Sequence, residues 1–292
     1  MLYSTSTDIA VRRPAIGLFR GVEMLMDAGF PALDLSLFEY GFVMDDDYRE
    51  TAAKLKAMTS ARGVVFNQSH APFGGGYDKY FGQTAPNLPR VIEFAGLCGV
   101  RNIVIHPLQR GRYYGHEEEL FEMNMEFYSG LAPHAKNAGV RIAIENMWHR
   151  HPVNGYIVDD VCANPDELAK YYDTLNDPEA FTVCLDLGHV ALCGREPEDA
   201  VKTIGHRLGA IHAHDVDYVN DLHYLPGVGK LNWSAICRSL AEVDYKGDFT
   251  LEASYFPKNY PDAHMPSVLR FMSETAAFYA GEVEKYKKEL AK

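Results

Sequence analysis

Short apolar runs rich in β-branched residues recur along the chain: Val64-Val65-Phe66, Ile103-Val104-Ile105, Ile142-Ala143-Ile144 and residues 181–185. Their hydrophobicity is continuous, not alternating, which is the pattern of parallel strands buried on both faces. Weaker runs at residues 2–5, 32–37, 210–213 and 249–251 bring the candidate strands to eight. Between them the apolar positions take helical spacing: Leu18, Val22 and Leu25; Ala52, Leu55 and Met58; Leu120, Phe127 and Leu131; Leu168, Tyr172 and Leu175; Trp233, Ile236, Leu240 and Val243. Acidic or capping residues precede several of these stripes, at Asp45, Asp46 and Asp47, at Glu117, Glu118 and Glu119, and at Asn164-Pro165. Pro133 predicts a kink near the end of the fourth helix, and a last helix is expected from about His264 to the C-terminus.

Eight strands alternating with eight helices predict an α/β protein with a parallel sheet, and the expected fold is one (β/α)8 barrel over residues 1–292. A doubly wound sheet is the competing architecture, but no Gly-rich nucleotide fingerprint follows the first strand. Gly74-Gly75-Gly76 follows the third strand and reads as a flexible loop. No linker or low-complexity segment divides the chain.

Composition adds exclusions. The chain is 47% hydrophobic, enough for a sizeable core, and shows neither a signal-like apolar run at its start nor the roughly 18 consecutive apolar residues of a membrane helix. A cytoplasmic protein without a membrane partner is expected. The five cysteines form no C-x-x-C pair, which argues against a disulfide scaffold or a thiolate metal site. A net charge of −12 disfavours nucleic acid, whose affinity comes from Lys and Arg at phosphates; Arg110, Arg112 and Arg150 are where a local cationic pocket would be sought.

The chemistry lies in what ends each apolar run. The third ends in Ser69-His70-Ala71-Pro72, the fourth in His106-Pro107, the fifth in Glu145-Asn146, the sixth in Asp186-Leu187-Gly188-His189, the seventh in His212-Ala213-His214-Asp215 and the eighth in Glu252. In a barrel these ends share one face, so residues far apart in sequence converge on one pocket. Carboxylates mixed with histidines suit manganese, magnesium or cobalt and are acceptable to zinc. Asp34 and Ser36, at the end of the second run, read as a barrel salt bridge or helix cap; Trp148, His149, Arg150 and His151 read as a loop that could close over a ligand.

The segments I-A-I-E-N, C-L-D-L-G-H, I-H-A-H-D, D-L-H-Y-L-P-G-V-G and T-L-E-A-S, in this order between residues 69 and 254, resemble the sugar isomerase and epimerase family with the xylose-isomerase-like barrel. That superfamily also holds the endonuclease IV enzymes acting at abasic DNA. The resemblance implies one divalent metal on Glu145, Asp186, His212 and Glu252, with Glu145 and Glu252 as the catalytic base and acid. His189 matches a substrate-contacting histidine, and His70, His106, Asp221 and His223 complete the substrate pocket. His214 is expected to be structural or to support a ligand. The latter four pocket residues and His189 also match positions where the endonuclease branch carries further ligands, which leaves a three-zinc site open. One departure is that residues 216–220 supply no arginine, where many epimerases of the family carry one. The implied activity is isomerisation or epimerisation of a sugar, sugar acid or sugar phosphate through an enediolate. A keto-sugar dehydratase and a multi-zinc phosphodiesterase are the alternatives, and a homo-oligomer is left open.

Overall fold

The computed structural model describes residues 1–11, 16–258 and 260–292. Eight parallel strands form the barrel: β1 (Tyr3–Thr5), β2 (Ala32–Ser36), β3 (Val65–His70), β4 (Asn102–Ile105), β5 (Arg141–Glu145), β8 (Phe181–Asp186), β9 (Leu208–His212) and β10 (Phe249–Leu251). The remaining two, β6 (Trp148–Arg150) and β7 (Ile157–Asp159), make an antiparallel hairpin after β5, where the sequence pattern suggested only a loop. Strands β2 to β9 of the barrel pair in one sheet, β1 pairs with β10, and single parallel bridges at Ser6–Asp34 and Ala213–Leu251 close the ring.

All eight expected strands are present, and β3, β4, β5 and β8 run a residue or more past the apolar run at a polar end. Val65 to His70 is the largest extension: polar Asn67, Gln68 and Ser69 are buried among neighbouring strands, so hydrophobicity alone under-reads it. The helix Glu117–Ala138 runs unbroken through Pro133, at the position where a kink was expected. Asn164 caps its helix by accepting from Asp166 N at 3.0 Å, whereas Asp47 occupies a cap position without a side-chain capping bond. Gly74, Gly75 and Gly76 all take left-handed φ values (88°, 84° and 74°), a loop conformation that side chains with a Cβ rarely adopt. No helix among the described residues is long and apolar enough to cross a membrane.

The interior is layered. The main core lies between strands and helices, while Val104, Ala143, Cys184 and Ala210 form a small cluster inside the barrel. Side chains in a strand alternate faces, so the residues two places on, His106, Glu145, Asp186 and His212, share the inward direction one layer nearer the C-terminal mouth. Small apolar side chains below thus leave the axis free for ionisable groups above.

The helix Glu117–Ala138 fixes the segment that carries His106. Tyr128, fully buried, donates to Ile105 O at 2.8 Å, and Asn124 exchanges bonds with Leu108 N (2.7 Å) and Leu108 O (3.0 Å). Replacing Tyr128 with Phe strands the Ile105 carbonyl in an apolar setting. Tyr128→Phe is expected to lower stability by about 1–3 kcal/mol, read from the urea midpoint; an unchanged midpoint would show that the bond contributes nothing.

Candidate active site

Asn146 clamps two strand ends together. Its Nδ2 donates to Asp186 O at 3.0 Å and its Oδ1 accepts from Asp186 N at 2.8 Å, which sets Glu145 beside Asp186. Asp186 also caps the short helix Leu187–Leu192, accepting from His189 N at 2.7 Å. His214 approaches the same carboxylate, with Nε2 2.9 and 3.0 Å from its two oxygens. Its ring lies so close to Gly188 that a Cβ there would stand 2.1 Å from His214 Cε1, so this position takes glycine because of close approach.

Three carboxylates converge on His212 Nδ1: Glu145 Oε1 at 2.6 Å, Glu252 Oε2 at 3.3 Å and Asp186 Oδ2 at 3.8 Å. One ligand atom from each of the four residues lies within 4.8 Å of all the others. Glu145, Asp186 and His212 are buried, and Glu252 borders the cavity above them. Burial alone would raise the Glu145 carboxyl, but His212 and His106 outweigh it and hold Glu145 well below the usual carboxylate range. Asp186 is likewise depressed, with His189 and His214 overcoming burial. Burial would lower the His212 imidazole, yet Cys184, Glu252 and Glu145 raise it well above the ordinary value. With Glu145 pushed down and His212 pushed up, positive charge is favoured beside Nδ1, where the donor set suits a cation. The set itself, three carboxylates and one imidazole with a ligand atom of each within reach of the others, fits a divalent ion.

The remaining expected residues surround this centre. His70 turns Nδ1 to Ala71 O (2.8 Å) and Nε2 towards His106 Nε2 (3.1 Å) and Glu145 Oε2 (3.5 Å). His106 Nε2 stands 2.9 Å from Glu145 Oε2. His189 faces Asn146 O through Nδ1 (2.8 Å), which aims its Nε2 towards Asp186. Asp221 and His223 sit in the loop after β9, organised by buried Asp215, which accepts from Val216 N, Gly227 N, Leu231 N and Trp233 Nε1 at 2.8–3.0 Å. His223 Nδ1 lies 2.8 Å from Glu252 O and Nε2 3.2 Å from Asp221 Oδ2. With an acceptor at each ring nitrogen, a proton is favoured on both: burial opposes the charge, but Asp221 and Glu252 push His223 up to about 10.

These groups line a cavity of about 320 Å³ at the C-terminal mouth, with Glu145 and Glu252 at its edge and Asp186 and His212 below it. Larger clefts, about 790 Å³ on the helical shell and 430 Å³ at the N-terminal mouth, lie away from this cluster. Phe73, Gln109, Met147 and Tyr255 also line the cavity, and nothing in their sequence setting marked them. Of the segment 148–151 only Trp148 reaches it; Gln109 Nε2 holds the hairpin by bonds to Trp148 O (3.2 Å) and Asp160 Oδ2 (2.8 Å). Tyr113 is buried and donates to Glu167 (2.8 Å). Arg110, Arg112 and Arg150 are outside the cavity, and no Lys or Arg lines it among the described residues.

The geometry accords with what is found among known proteins. An inosose dehydratase of Bacillus cereus (strain AH820) is 32% identical over 108 residues, 31% of this chain and 36% of the relative. A fructoselysine 3-epimerase of Escherichia coli O157:H7 is 25% identical over 136 residues, 47% and 46% of the two chains. The chain spans about half the length of the curated relatives it matches. A solved D-tagatose 3-epimerase-like protein superposes with a TM-score of 0.77 over the whole of both chains at 18% identity, a likeness of fold. The family model described as xylose isomerase-like TIM barrel matches residues 15–274, and the chain belongs to that family.

Proposed function

We propose that this protein is a divalent-cation-dependent isomerase or epimerase of a sugar or sugar derivative that moves a proton at a carbon beside a carbonyl. The observation that carries this reading is the pair Glu145 and Glu252, 2.6 and 3.3 Å from His212 Nδ1, at the edge of one polar cavity. Glu145 ends β5 and Glu252 directly follows β10, so a substrate held between them is reached from two sides. The relatives named above as an epimerase and a dehydratase of sugar-like compounds support it.

Glu145, Asp186, His212 and Glu252 would hold manganese, magnesium, cobalt or zinc. When bound, such an ion neutralises the carboxylates and polarises the substrate carbonyl, which acidifies the neighbouring C–H. Glu145, held ionised, takes the carbon-bound proton while the C–H electron pair passes into an enediolate. Glu252, carrying a proton, returns it to carbon on the other side, so the two carboxyl groups exchange protonation states in each turnover. In the dehydratase variant the enediolate electron pair would instead expel the hydroxyl of the adjacent carbon, which leaves as water with a proton from Glu252. His70, His106, His189, Asp221 and His223 would bind hydroxyl groups, and with no arginine in the lining among the described residues most of that task falls to imidazoles.

A second reading, a multi-zinc phosphodiesterase, is favoured by one observation. The expected site residues other than His106 form, with His214, three adjoining groups: His70, Glu145 and His212; Glu145, Asp186, His212 and Glu252; and His189, His214, Asp221 and His223. The charge of −12 weighs against a nucleic-acid substrate.

Metal analysis separates the readings. One cation per chain is expected, with affinity reduced by at least about 10-fold in Asp186→Ala and His212→Ala; full occupancy at unchanged affinity in both variants would remove these residues from the centre. Three zinc ions per chain together with cleavage of an abasic-site duplex would favour the phosphodiesterase.

The proton transfer is tested with a substrate found by screening ketoses, aldoses and keto acids. Glu145→Gln or Glu252→Gln should lower turnover by about 10²–10⁴-fold, and reaction in heavy water should place deuterium at the exchanging carbon. A true substrate converted with all its carbon-bound hydrogens retained would eliminate solvent-exchanging transfer through these glutamates.

A further inference from the structure

Asp34 is a buried acid that the mechanism above does not use. It stands in β2 at a register shift between Leu33 and Asp34, is 1% exposed, and points to the barrel axis from the side opposite the three converging carboxylates. Its Oδ2 has one hydrogen bond, a long one of 3.4 Å from Gln68 Nε2, and its Oδ1 has none. Across the axis His212 Nε2 is also buried without a hydrogen-bond partner, 4.0 Å from Asp34 Oδ2. Two orphaned polar atoms of complementary kind thus face each other in the interior, where each is costly to leave unpaired.

The tautomer of His212 gives that pairing a purpose. Its Nδ1 faces Glu145, Asp186 and Glu252, so binding a cation there requires the lone pair on Nδ1 and the proton on Nε2. An Nε2 proton without an acceptor leaves ring and tautomer undefined. The loosely held Asp34 carboxylate needs to advance by only about 1 Å to make a hydrogen bond. Cys184 also neighbours the ring, but a neutral thiol is a weak acceptor.

Resting on the cation reading above, we propose that Asp34 is a positioning residue: its carboxylate accepts the Nε2 proton of His212, fixing the ring so that Nδ1 is presented to a divalent cation. A carboxylate behind a ligating histidine raises the basicity of the ligand, and losing such a partner typically weakens metal affinity by 10–100-fold.

The test is calorimetric titration of the chelator-treated full chain with Mn²⁺, alongside its urea midpoint without metal. Asp34→Asn, which keeps shape and a neutral acceptor, should bind Mn²⁺ about 10-fold more weakly, and Asp34→Leu about 100-fold. The metal-free midpoint should fall in neither variant enough to account for the loss. Should Asp34→Leu fail to fold, the near-isosteric Asp34→Asn decides alone. Wild-type binding with both variants within about twofold would overturn the proposal, as would weakened binding in Cys184→Ala with none in Asp34→Asn. A merely structural Asp34 would lower the metal-free midpoint and leave the Mn²⁺ affinity of the folded fraction unchanged. A wild-type chain that binds no divalent cation would overturn the cation reading and this inference together.

Discussion

Three carboxylates gathered around one imidazole nitrogen are the constraint on which the C-terminal half of this barrel depends. Like charges a few ångströms apart and out of water repel strongly, and they persist only when positive charge is placed among them. His212, whose Nδ1 stands 2.6 Å from Glu145 Oε1, is favoured in its charged form by these neighbours, and His189 beside Asp186 is raised likewise. Much of the local architecture serves to hold the acids in place against this repulsion: the Asn146 clamp on Asp186, the helix cap that Asp186 forms, and the ring of His214 seated on Gly188.

The arrangement divides the barrel along its axis. The N-terminal mouth carries polar residues such as Asn102, Arg141 and Thr182, the middle holds small apolar side chains, and the upper layer holds the ionisable ones. The loops above add what the strands cannot. Asp215 uses four donors to shape the loop bearing Asp221 and His223, and the β6–β7 hairpin brings Trp148 to the cavity edge. Strands thereby set the position of the reacting carboxylates while loops set the walls that a substrate meets.

The fold was legible because parallel strands buried on both faces leave unbroken apolar runs, and the candidate site was legible because each run ends in a polar residue that alternation turns inward. Val104 to His106, Ala143 to Glu145, Cys184 to Asp186 and Ala210 to His212 all repeat this two-residue step. What the pattern left unread has physical reasons. The hairpin strands β6 and β7 are three residues long and only half-buried at most positions, too short to show a period. Asp34 could be read as one half of a barrel ion pair but not matched to its partner, because His212, 4.0 Å across the axis, is distant in sequence and only closure of the ring brings them together. His214 shares the parity of His212 but lies past the strand, and only the missing Cβ of Gly188 makes room for it beside Asp186. Phe73 and Tyr255 are ordinary aromatic residues in sequence, and their place at the cavity follows from loop paths that hydropathy does not encode.

On the proposed function, Glu145, Asp186, His212 and Glu252 form one cation-binding centre. Anomalous X-ray scattering at the manganese edge, from crystals grown with Mn²⁺, tests it most directly. A single strong peak is expected within about 2.0–2.6 Å of ligand atoms from Glu145, Asp186, His212 and Glu252. A peak confined to the His189, His214, Asp221 and His223 group, or none inside the barrel mouth at saturating Mn²⁺, would contradict it.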